Sequence, residues 1–348
     1  MRNIYSRPLL FFSILLFACS KNEQQEEKHW TKFEKRFSFF EFYFTNGVAC
    51  PLNGKIYAGL GRGGTAEYVT SKDFYCITPE LDVKVLPPFP GEARENAVAF
   101  ALGKKIYVGL GYQKDYWVFE MNEGERHFSD FWAFDTETRQ WEPTPLSPAF
   151  PGKPRQNAIA FVLEGKAYVG LGEGIESEER TRGKVRKQYS DLYTFSPETG
   201  WSLFRHTHAG ISGATAFTAG GRAYICASSS NGLGIYVVDP AAKEWIFNEP
   251  IPHPTSDFPL TDAAAFVTRE EGTDYAYLVC GRNQQHETNA CWRYDISRDY
   301  WERIPDFPIP LAIRLPIANL LLPTNKFTAF TLSNKGHVIC GKGLYLLE

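Results

Sequence analysis

Two arginines stand at equivalent places in a recurring pattern, and their side chains suit the binding of an anion. Arg94 follows Phe89-Pro-Gly-Glu-Ala, and Arg155 follows Phe150-Pro-Gly-Lys-Pro. A guanidinium presents a planar fork of donors that matches a carboxylate. Arg314 precedes the last copy of the pattern in a similar way, so all three are candidate ligand-binding residues. The open alternative is an intramolecular ion pair, or backbone hydrogen bonds that set the turn.

Aromatic side chains are concentrated in the segment 112–128. Tyr112, Tyr116 and Trp117 are candidate ligand-binding residues there, because exposed rings stack on sugars or anchor protein partners. The alternative is that these rings fold over the edge of the domain and pack. The segment 173–189 is rich in charged residues, and we interpret it as solvated surface.

Two histidines lie two residues apart, at His206 and His208. On a strand both would share a face, which permits a metal pair, but no third ligand follows at a useful spacing. The pair is therefore kept as a candidate ligand-binding feature, and neither a metal nor a cofactor is predicted. No nucleophile elbow, phosphate loop or zinc motif is present, so the catalytic residues stay unknown.

Six cysteines remain besides Cys19, and none has C-x-x-C spacing. Four of them replace apolar residues of the repeat, which favours buried free thiols. An exported protein can also form disulfides. Cys280 and Cys291 flank one hairpin loop and are the best candidate pair. The six are Cys50, Cys76, Cys226, Cys280, Cys291 and Cys340.

The elements that must position these residues come from an internal repeat. The phrase Lys105-Ile-Tyr-Val-Gly-Leu-Gly111 recurs in six copies of varying fidelity, at intervals of roughly 50 to 61 residues. In each copy a strand of small and apolar residues precedes this phrase, and an aromatic strand and usually a Trp-bearing strand follow it. Four strands per unit with period-two patterning predict one propeller blade. The repeat therefore predicts an all-β, six-bladed β-propeller. The anchor residues are Tyr57, Tyr107, Tyr168, Tyr224, Tyr277 and His337.

The sixth copy ends after its third strand, near Leu347, and needs a fourth. Trp30 lies 27 residues before Tyr57, and Trp141 lies 27 before Tyr168 (57 − 30 and 168 − 141). The strand near Trp30 is therefore predicted to close the last blade. Such closure removes two open sheet edges, which would otherwise be prone to aggregation.

The amino terminus predicts export. Arg2 and Arg7 precede the apolar run 9–18, the layout of a signal peptide that is too short to span a bilayer. Leu16-Phe-Ala-Cys19 resembles the bacterial lipobox, which implies a lipid on Cys19; an ordinary signal peptide with an incidental cysteine is the alternative. We predict a signal peptide (1–18), a lipidated flexible tether (19–28) and the propeller (29–348), facing away from the cytoplasm on a bacterial membrane, with the outer membrane or cell surface favoured.

The repeat resembles the kelch-repeat superfamily, and the phrases Phe89–Arg94 and Tyr107–Gly111 resemble bacterial kelch-type lipoproteins. That resemblance implies a fold that serves binding proteins and enzymes alike. We expect a monomeric binding or scaffold module for a glycan or a protein partner. The alternative is an enzyme resembling sialic acid mutarotases, with Arg94 and Arg155 holding the sugar carboxylate and Glu92 or His208 moving protons. The net charge of −3 is too acidic for a nucleic-acid partner.

Overall fold

The computed structural model describes most of the repeat region as antiparallel β-sheet. The described residues contain no helix long and apolar enough to cross a membrane. They contain six four-stranded sheets arranged as the blades of a propeller, which confirms the predicted fold. The described ranges are 28–33, 45–62, 70–114, 124–178, 183–229, 232–239, 246–248, 261–283, 286–308, 327–340 and 343–348.

The chain begins with β1 (Trp30–Lys32) and then builds three blades in order. Blade 1 contains β2 (Val48–Leu52), β3 (Lys55–Gly59), β4 (Phe74–Ile77) and β5 (Val83–Leu86). Blade 2 contains β6 (Val98–Leu102), β7 (Lys105–Gly109), a hairpin of β8 (Tyr112–Lys114) and β9 (Glu125–His127), then β10 (Phe131–Asp135) and β11 (Gln140–Trp141). Blade 3 contains β12 (Ile159–Leu163), β13 (Lys166–Gly170), a hairpin of β14 (Glu173–Glu178) and β15 (Gly183–Gln188), then β16 (Asp191–Ser196) and β17 (Gly200–His206).

The remaining three blades follow the same order. Blade 4 contains β18 (Thr215–Ala219), β19 (Arg222–Ser229), β20 (Gly232–Val238) and β21 (Ile246–Asn248). Blade 5 contains β22 (Ala264–Glu270), β23 (Thr273–Val279), a hairpin of β24 (Arg282–Asn283) and β25 (His286–Glu287), then β26 (Cys291–Asp295) and β27 (Tyr300–Ile304). Blade 6 contains β28 (Thr328–Leu332), β29 (Lys335–Cys340) and β30 (Gly343–Leu347), and β1 is its fourth strand.

The predicted closure by the amino-terminal strand is confirmed. β1 pairs antiparallel with β30, with Trp30 opposite Leu347. The Trp30 indole nitrogen donates to the Pro305 carbonyl at 3.0 Å, which ties blade 6 to blade 5. The two chain ends are therefore joined in one sheet, and blade 6 has no open outer edge along β30.

Blades 2 to 6 each contain a repeated pair of stacked rings between their first two strands, and in blade 1 Cys50 lies opposite Tyr57. The Phe100 and Tyr107 rings stack with centroids 5.1 Å apart, and Phe161 and Tyr168 stack at 5.0 Å. His337 replaces the tyrosine in blade 6 and stacks on Phe330 at 5.4 Å, so it has a structural role there. Such ring pairs add specific contact energy to the burial of apolar area.

A central channel of about 390 Å³ is lined by the innermost strands of all six blades. Its lining is mostly small or apolar: alanine occupies the same position in every blade. Small side chains are needed there because six strands crowd around one axis. These alanines are Ala49, Ala99, Ala160, Ala216, Ala265 and Ala329.

Candidate functional site

The innermost strands all begin on one face of the ring, and the second strands end there. We call this the upper face; it is defined by Asn46, Asn96, Asn157 and Asp262, which precede the first strands of blades 1, 2, 3 and 5. All four have positive φ values, between 53° and 59°, as does Gly213 of blade 4 at 71°. Asn, Asp and Gly adopt this left-handed conformation most readily. The upper face is thus bordered by a repeated polar turn, and the opposite side is the lower face.

A Leu-Gly pair ends the second strand and lets the backbone fold tightly against this turn. Leu110 and Gly111 both have positive φ values, 57° and 89°. A Cβ on Gly111 would lie 2.7 Å from the Glu95 carbonyl oxygen, so only glycine fits. The next residue, Tyr112, then bridges back to Glu95. Each such bridge places the residue after the Leu-Gly or Cys-Gly pair beside the turn that begins an innermost strand. We call this inner rim of the upper face the channel mouth.

The hairpins of blades 2 and 3 rise from the upper face and share an arginine. Arg186 of β15 donates to Glu173 at 2.9 Å and to Glu125 of blade 2 at 2.8 Å. Burial alone would lower the pKa of Arg186, but Glu125 and Glu173 outweigh it and raise that pKa. The Glu173 oxygen that accepts from Arg186 also accepts from Asn157 at 3.4 Å. The charged loop is therefore not simply solvated surface as predicted: Arg186 joins two blades.

His127 lies under this bridge and is 5% exposed. Its ring stacks on Tyr112 with centroids 5.7 Å apart, and its Nε2 lies 4.0 Å from a Glu125 oxygen. Nε2 is buried and has no hydrogen-bond partner among the described residues. Burial lowers the pKa of His127 to about 4; Arg186 adds to this effect and Glu125 opposes it. The imidazole is neutral near pH 7 and available for proton exchange or a ligand hydrogen bond.

A second ion pair lies between blades 1 and 2 on the same face. Arg62 Nε is 2.8 Å from a Glu95 oxygen, and both side chains are almost fully buried. Asn46 donates its amide to the same Glu95 oxygen at 2.5 Å. The upper face therefore combines buried cations and carboxylates contributed by three consecutive blades.

The structure corrects the prediction that Arg94 and Arg155 are open to a ligand. Both are fully buried. Arg94 forms a two-pronged contact with Asp130 at 2.6 and 3.0 Å, and Arg155 does the same with Asp191 at 2.5 and 2.9 Å. Each also donates Nε to the carbonyl two residues earlier. The structure shows the alternative, an intramolecular ion pair with backbone hydrogen bonds at the turn. The guanidinium N–H groups of both arginines already donate within the protein.

The other predicted residues are dispersed. Tyr112 is buried against His127 and is not an exposed platform. His206 lies at the end of β17, 3.2 Å from the Ser190 hydroxyl, and His208 is exposed after it. Glu92 is exposed beside Arg94. Cys280 and Cys291 are free, buried thiols, so the predicted disulfide is not formed in the structure. Cys19, Tyr116, Trp117 and Arg314 lie outside the described residues.

The residues that make up the site were not among the candidates from the sequence. Glu95, Glu125 and Glu173 were missed, as was Arg62. A usable signal was present in the repeat: Arg62 and Glu173 both directly follow Leu-Gly, where the bridge brings each residue to the channel mouth. Within the described residues, no group of three His, Cys, Asp or Glu side chains is arranged to hold a metal ion.

Comparisons with known proteins agree with this architecture. No family model matches the chain. N-acetylneuraminate epimerase from Shigella flexneri serotype 5b is 28% identical over 146 residues, which are 41% of this chain and 34% of that protein. The protein of the same name from Escherichia coli K12 matches equally, and N-acetylneuraminate epimerase 2 from E. coli strain CFT073 is 30% identical over 122 residues, 34% of this chain and 28% of that protein. The chain thus matches about a third of the length of these curated relatives.

A solved structure has the same fold. The structure of YjhT superposes with a TM-score of 0.60 at 16% identity, covering 88% of this chain and 93% of that one. At this identity the likeness concerns the fold alone. The chain is therefore a six-bladed β-propeller whose upper face gathers acidic and basic side chains around the channel mouth.

Proposed function

We propose that this chain is a sugar mutarotase that interconverts the anomers of an acidic sugar of the N-acetylneuraminate kind on its upper face. The observation that carries the proposal is the placement of Glu173 beside Arg186 at the channel mouth, with His127 buried below. The similarity to N-acetylneuraminate epimerases supports the substrate class. Mutarotation needs proton transfer and binding but no cofactor, which suits this set of residues.

The chemistry requires one proton to change place. The anomeric hydroxyl loses its proton to a base, the bond from the anomeric carbon to the ring oxygen breaks, and the ring oxygen gains a proton. The open-chain ketone then rotates and closes again on its other face. A single carboxyl group can accept the first proton and supply the second, because both oxygens of the sugar are bonded to one carbon.

Glu173 is the best placed carboxylate for this role. Its side chain is 15% exposed, whereas that of Glu125 is 6% exposed. Among the described residues, both hydrogen bonds to the Glu173 side chain are accepted by Oε1, which leaves Oε2 for a ligand. Arg186 holds the carboxylate in place, and the neighbouring His127 stays neutral. Glu173 is therefore the proposed acid–base group and Arg186 its positioning residue.

The membrane anchor also remains part of the proposal. β1 runs from the lower face toward the upper face, and Lys28 just before it is tied to Glu270 at 2.9 Å on the lower face. A lipid on Cys19 would thus attach the chain on the side away from Glu173.

A binding module without turnover is the second candidate. The side chains of Glu125 and His127, in the hairpin of blade 2, are only 6% and 5% exposed, which also suits a rigid surface that only recognises a ligand. Buried ionic networks of this kind can fix the geometry of a binding surface. The two functions differ in one measurable rate, the rate of anomer exchange.

Exchange spectroscopy by proton NMR measures that rate directly with purified protein and N-acetylneuraminate. We expect anomer exchange to be faster with the wild-type protein than in buffer. The rate catalysed by Glu173→Gln should be about 100-fold lower than that of wild type. Glu137→Gln is the matched control, since Glu137 forms an exposed ion pair with Lys104 on the lower face. Binding with exchange at the buffer rate would refute the mutarotase and leave the binding module.

A further inference from the structure

We infer that Arg282 is the residue that holds the carboxylate of the acidic ligand, an inference that rests on the proposed sugar-binding role of the upper face. Arg282 is the first residue of β24 and directly follows Cys280-Gly281. This is the place in blade 5 that Arg62 occupies in blade 1 and Glu173 in blade 3. The repeat thus puts a cation at the channel mouth two blades away from the proposed acid–base group.

The backbone of Arg282 is locked onto the polar turn of the upper face. Its N–H donates to the Thr261 carbonyl at 2.8 Å, and the Thr261 N–H donates back at 3.2 Å. The same two-way bridge joins Thr45 to Arg62 in blade 1. There the arginine side chain reaches Glu95 of the neighbouring blade at 2.8 Å. A side chain from this position can therefore reach the neighbouring blade.

Four arginines of this face are each held by a carboxylate: Arg62, Arg94, Arg155 and Arg186. Arg126 of β9 has no ion pair within the described residues, but it is exposed to solvent. Arg282 forms no ion pair with any described residue, and its Nε is buried without a hydrogen-bond partner there. A buried donor of a charged group that lacks an acceptor is costly, and a ligand carboxylate would supply the acceptor.

Blade 4 lies between Glu173 and Arg282, and its turn residue is Gly213. The Asp262 side chain of blade 5 packs beside this glycine, since an added Cβ would lie 2.8 Å from Asp262 Oδ1. The amide of Gly213 donates to Asn157 of blade 3 at 3.3 Å, and its carbonyl accepts from Asp262 of blade 5 at 2.8 Å. The three turns are thus contiguous. Because the carboxylate of a sialic acid is bonded to its anomeric carbon, the proposal requires the Arg282 guanidinium and the Glu173 carboxylate to converge on neighbouring atoms of one sugar.

The test compares N-acetylneuraminate with its methyl ester, in which the carboxylate is masked, by isothermal titration calorimetry and ligand-observed NMR. We expect the wild-type protein to bind the acid more tightly than the ester. Arg282→Gln should raise the Kd for the acid at least about tenfold and leave that for the ester unchanged. Arg282→Lys, which keeps the charge but loses the fork, should give an intermediate Kd. Arg222→Gln, at an exposed lower-face position, is the control.

The outcomes separate this inference from the proposed function. Equal binding of the acid by Arg282→Gln and wild type would overturn the role of Arg282, as would a wild-type protein that binds acid and ester alike. A wild-type protein that binds the acid through Arg282 but exchanges anomers at the buffer rate would refute only the mutarotase. If Arg282→Gln fails to fold, the wild-type comparison of acid with ester and the Arg282→Lys variant still decide the question.

Discussion

The indole ring of Trp30 packs edge-on against the ring of Phe307, with centroids 5.0 Å apart and planes at 81°. Trp141 packs on Phe89 in the same way, at 5.3 Å and 83°. Both tryptophans also donate to the carbonyl of a proline two residues before that phenylalanine. The contact that joins blade 6 to blade 5 is therefore the one that joins blade 2 to blade 1, although it is made by the opposite end of the chain.

Replacing Trp30 should weaken the whole ring. Trp30→Ala removes a partly buried ring and the bond to Pro305, so the free energy of unfolding should fall by about 2 to 3 kcal/mol in urea titrations. Trp30→Phe keeps much of the ring contact and should cost about 1 kcal/mol. Val85→Ala is the control, because Val85 is also on a fourth strand but is 79% exposed. An unchanged midpoint for Trp30→Ala would contradict closure by β1.

The fold could be predicted because its determinants repeat along the chain. The tyrosine of Lys105-Ile-Tyr107 recurs in five of the six blades, and in blades 2 to 4 its stacking partner lies seven residues earlier, as Phe100 does. A local pattern therefore marks each blade. The spacing from Trp30 to Tyr57 matched that from Trp141 to Tyr168, so closure could also be predicted. In both cases one physical contact recurs, and its residues recur with it.

The site could not be predicted in the same way because it consists of departures from the repeat. Arg94 and Arg155 were chosen because they recur, yet recurrence marked a structural role: each pairs with an aspartate 36 residues later, Asp130 or Asp191. That constant interval was the signal for an internal pair. Glu173 and Arg282 occupy one repeated position with different chemistry, and only the bridge geometry shows that this position reaches the channel mouth.

The ion pair between the buried Arg94 and the partly exposed Asp130 should contribute strongly to stability. Arg94→Gln leaves the carboxylate without its partner, so we expect a loss of about 3 kcal/mol in the free energy of unfolding. Lys104→Gln, which breaks an exposed pair with Glu137, should cost less than about 1 kcal/mol. Sugar binding at the upper face should survive in folded Arg94→Gln. A selective loss of binding without a loss of stability would instead support the original prediction of a ligand-binding arginine.

The same pair predicts a response to acid. Burial alone would raise the pKa of Asp130, but the hydrogen bonds and charge of Arg94 outweigh it and hold that pKa below its usual value. The stabilisation is therefore complete at neutral pH and is lost as the pH falls through the lowered pKa, below about 4. In acid titrations followed by circular dichroism, the loss of stability between pH 4 and 2 should be smaller for Asp130→Asn than for wild type. Identical curves would exclude this contribution.

The six described cysteines should be inert in the folded protein. Burial raises the pKa of Cys50, Cys226, Cys291 and Cys340 to about 12, so almost no thiolate is present at neutral pH. We expect no reaction with Ellman's reagent in buffer, and reaction of all six thiols after unfolding in guanidinium. A titre of four in denaturant would show that Cys280 and Cys291 are joined after all.

The anchor makes a separate prediction. Cys19→Ala should release the protein from membranes in a bacterial host, because one cysteine carries the acyl chains. Fractionation followed by blotting measures this, with Cys76→Ala as the control because Cys76 is a buried thiol of blade 1. Continued sedimentation of Cys19→Ala with membranes would contradict a lipid anchor at this position.

His127 should make the stability of the propeller depend on pH between about 4 and 6.5. Burial lowers the pKa of this imidazole from its ordinary 6.5 to about 4. Between those values the unfolded chain binds a proton that the folded chain does not, so the free energy of unfolding rises with pH across this window, by up to about 3 kcal/mol. His127→Gln should flatten that rise relative to wild type in urea titrations at pH 4.5 and 7. His206→Gln, at an exposed site, should leave it unchanged. His337 is also buried with a lowered pKa, so part of the slope should remain in His127→Gln. A slope equal to that of wild type would contradict burial of the His127 imidazole against Tyr112.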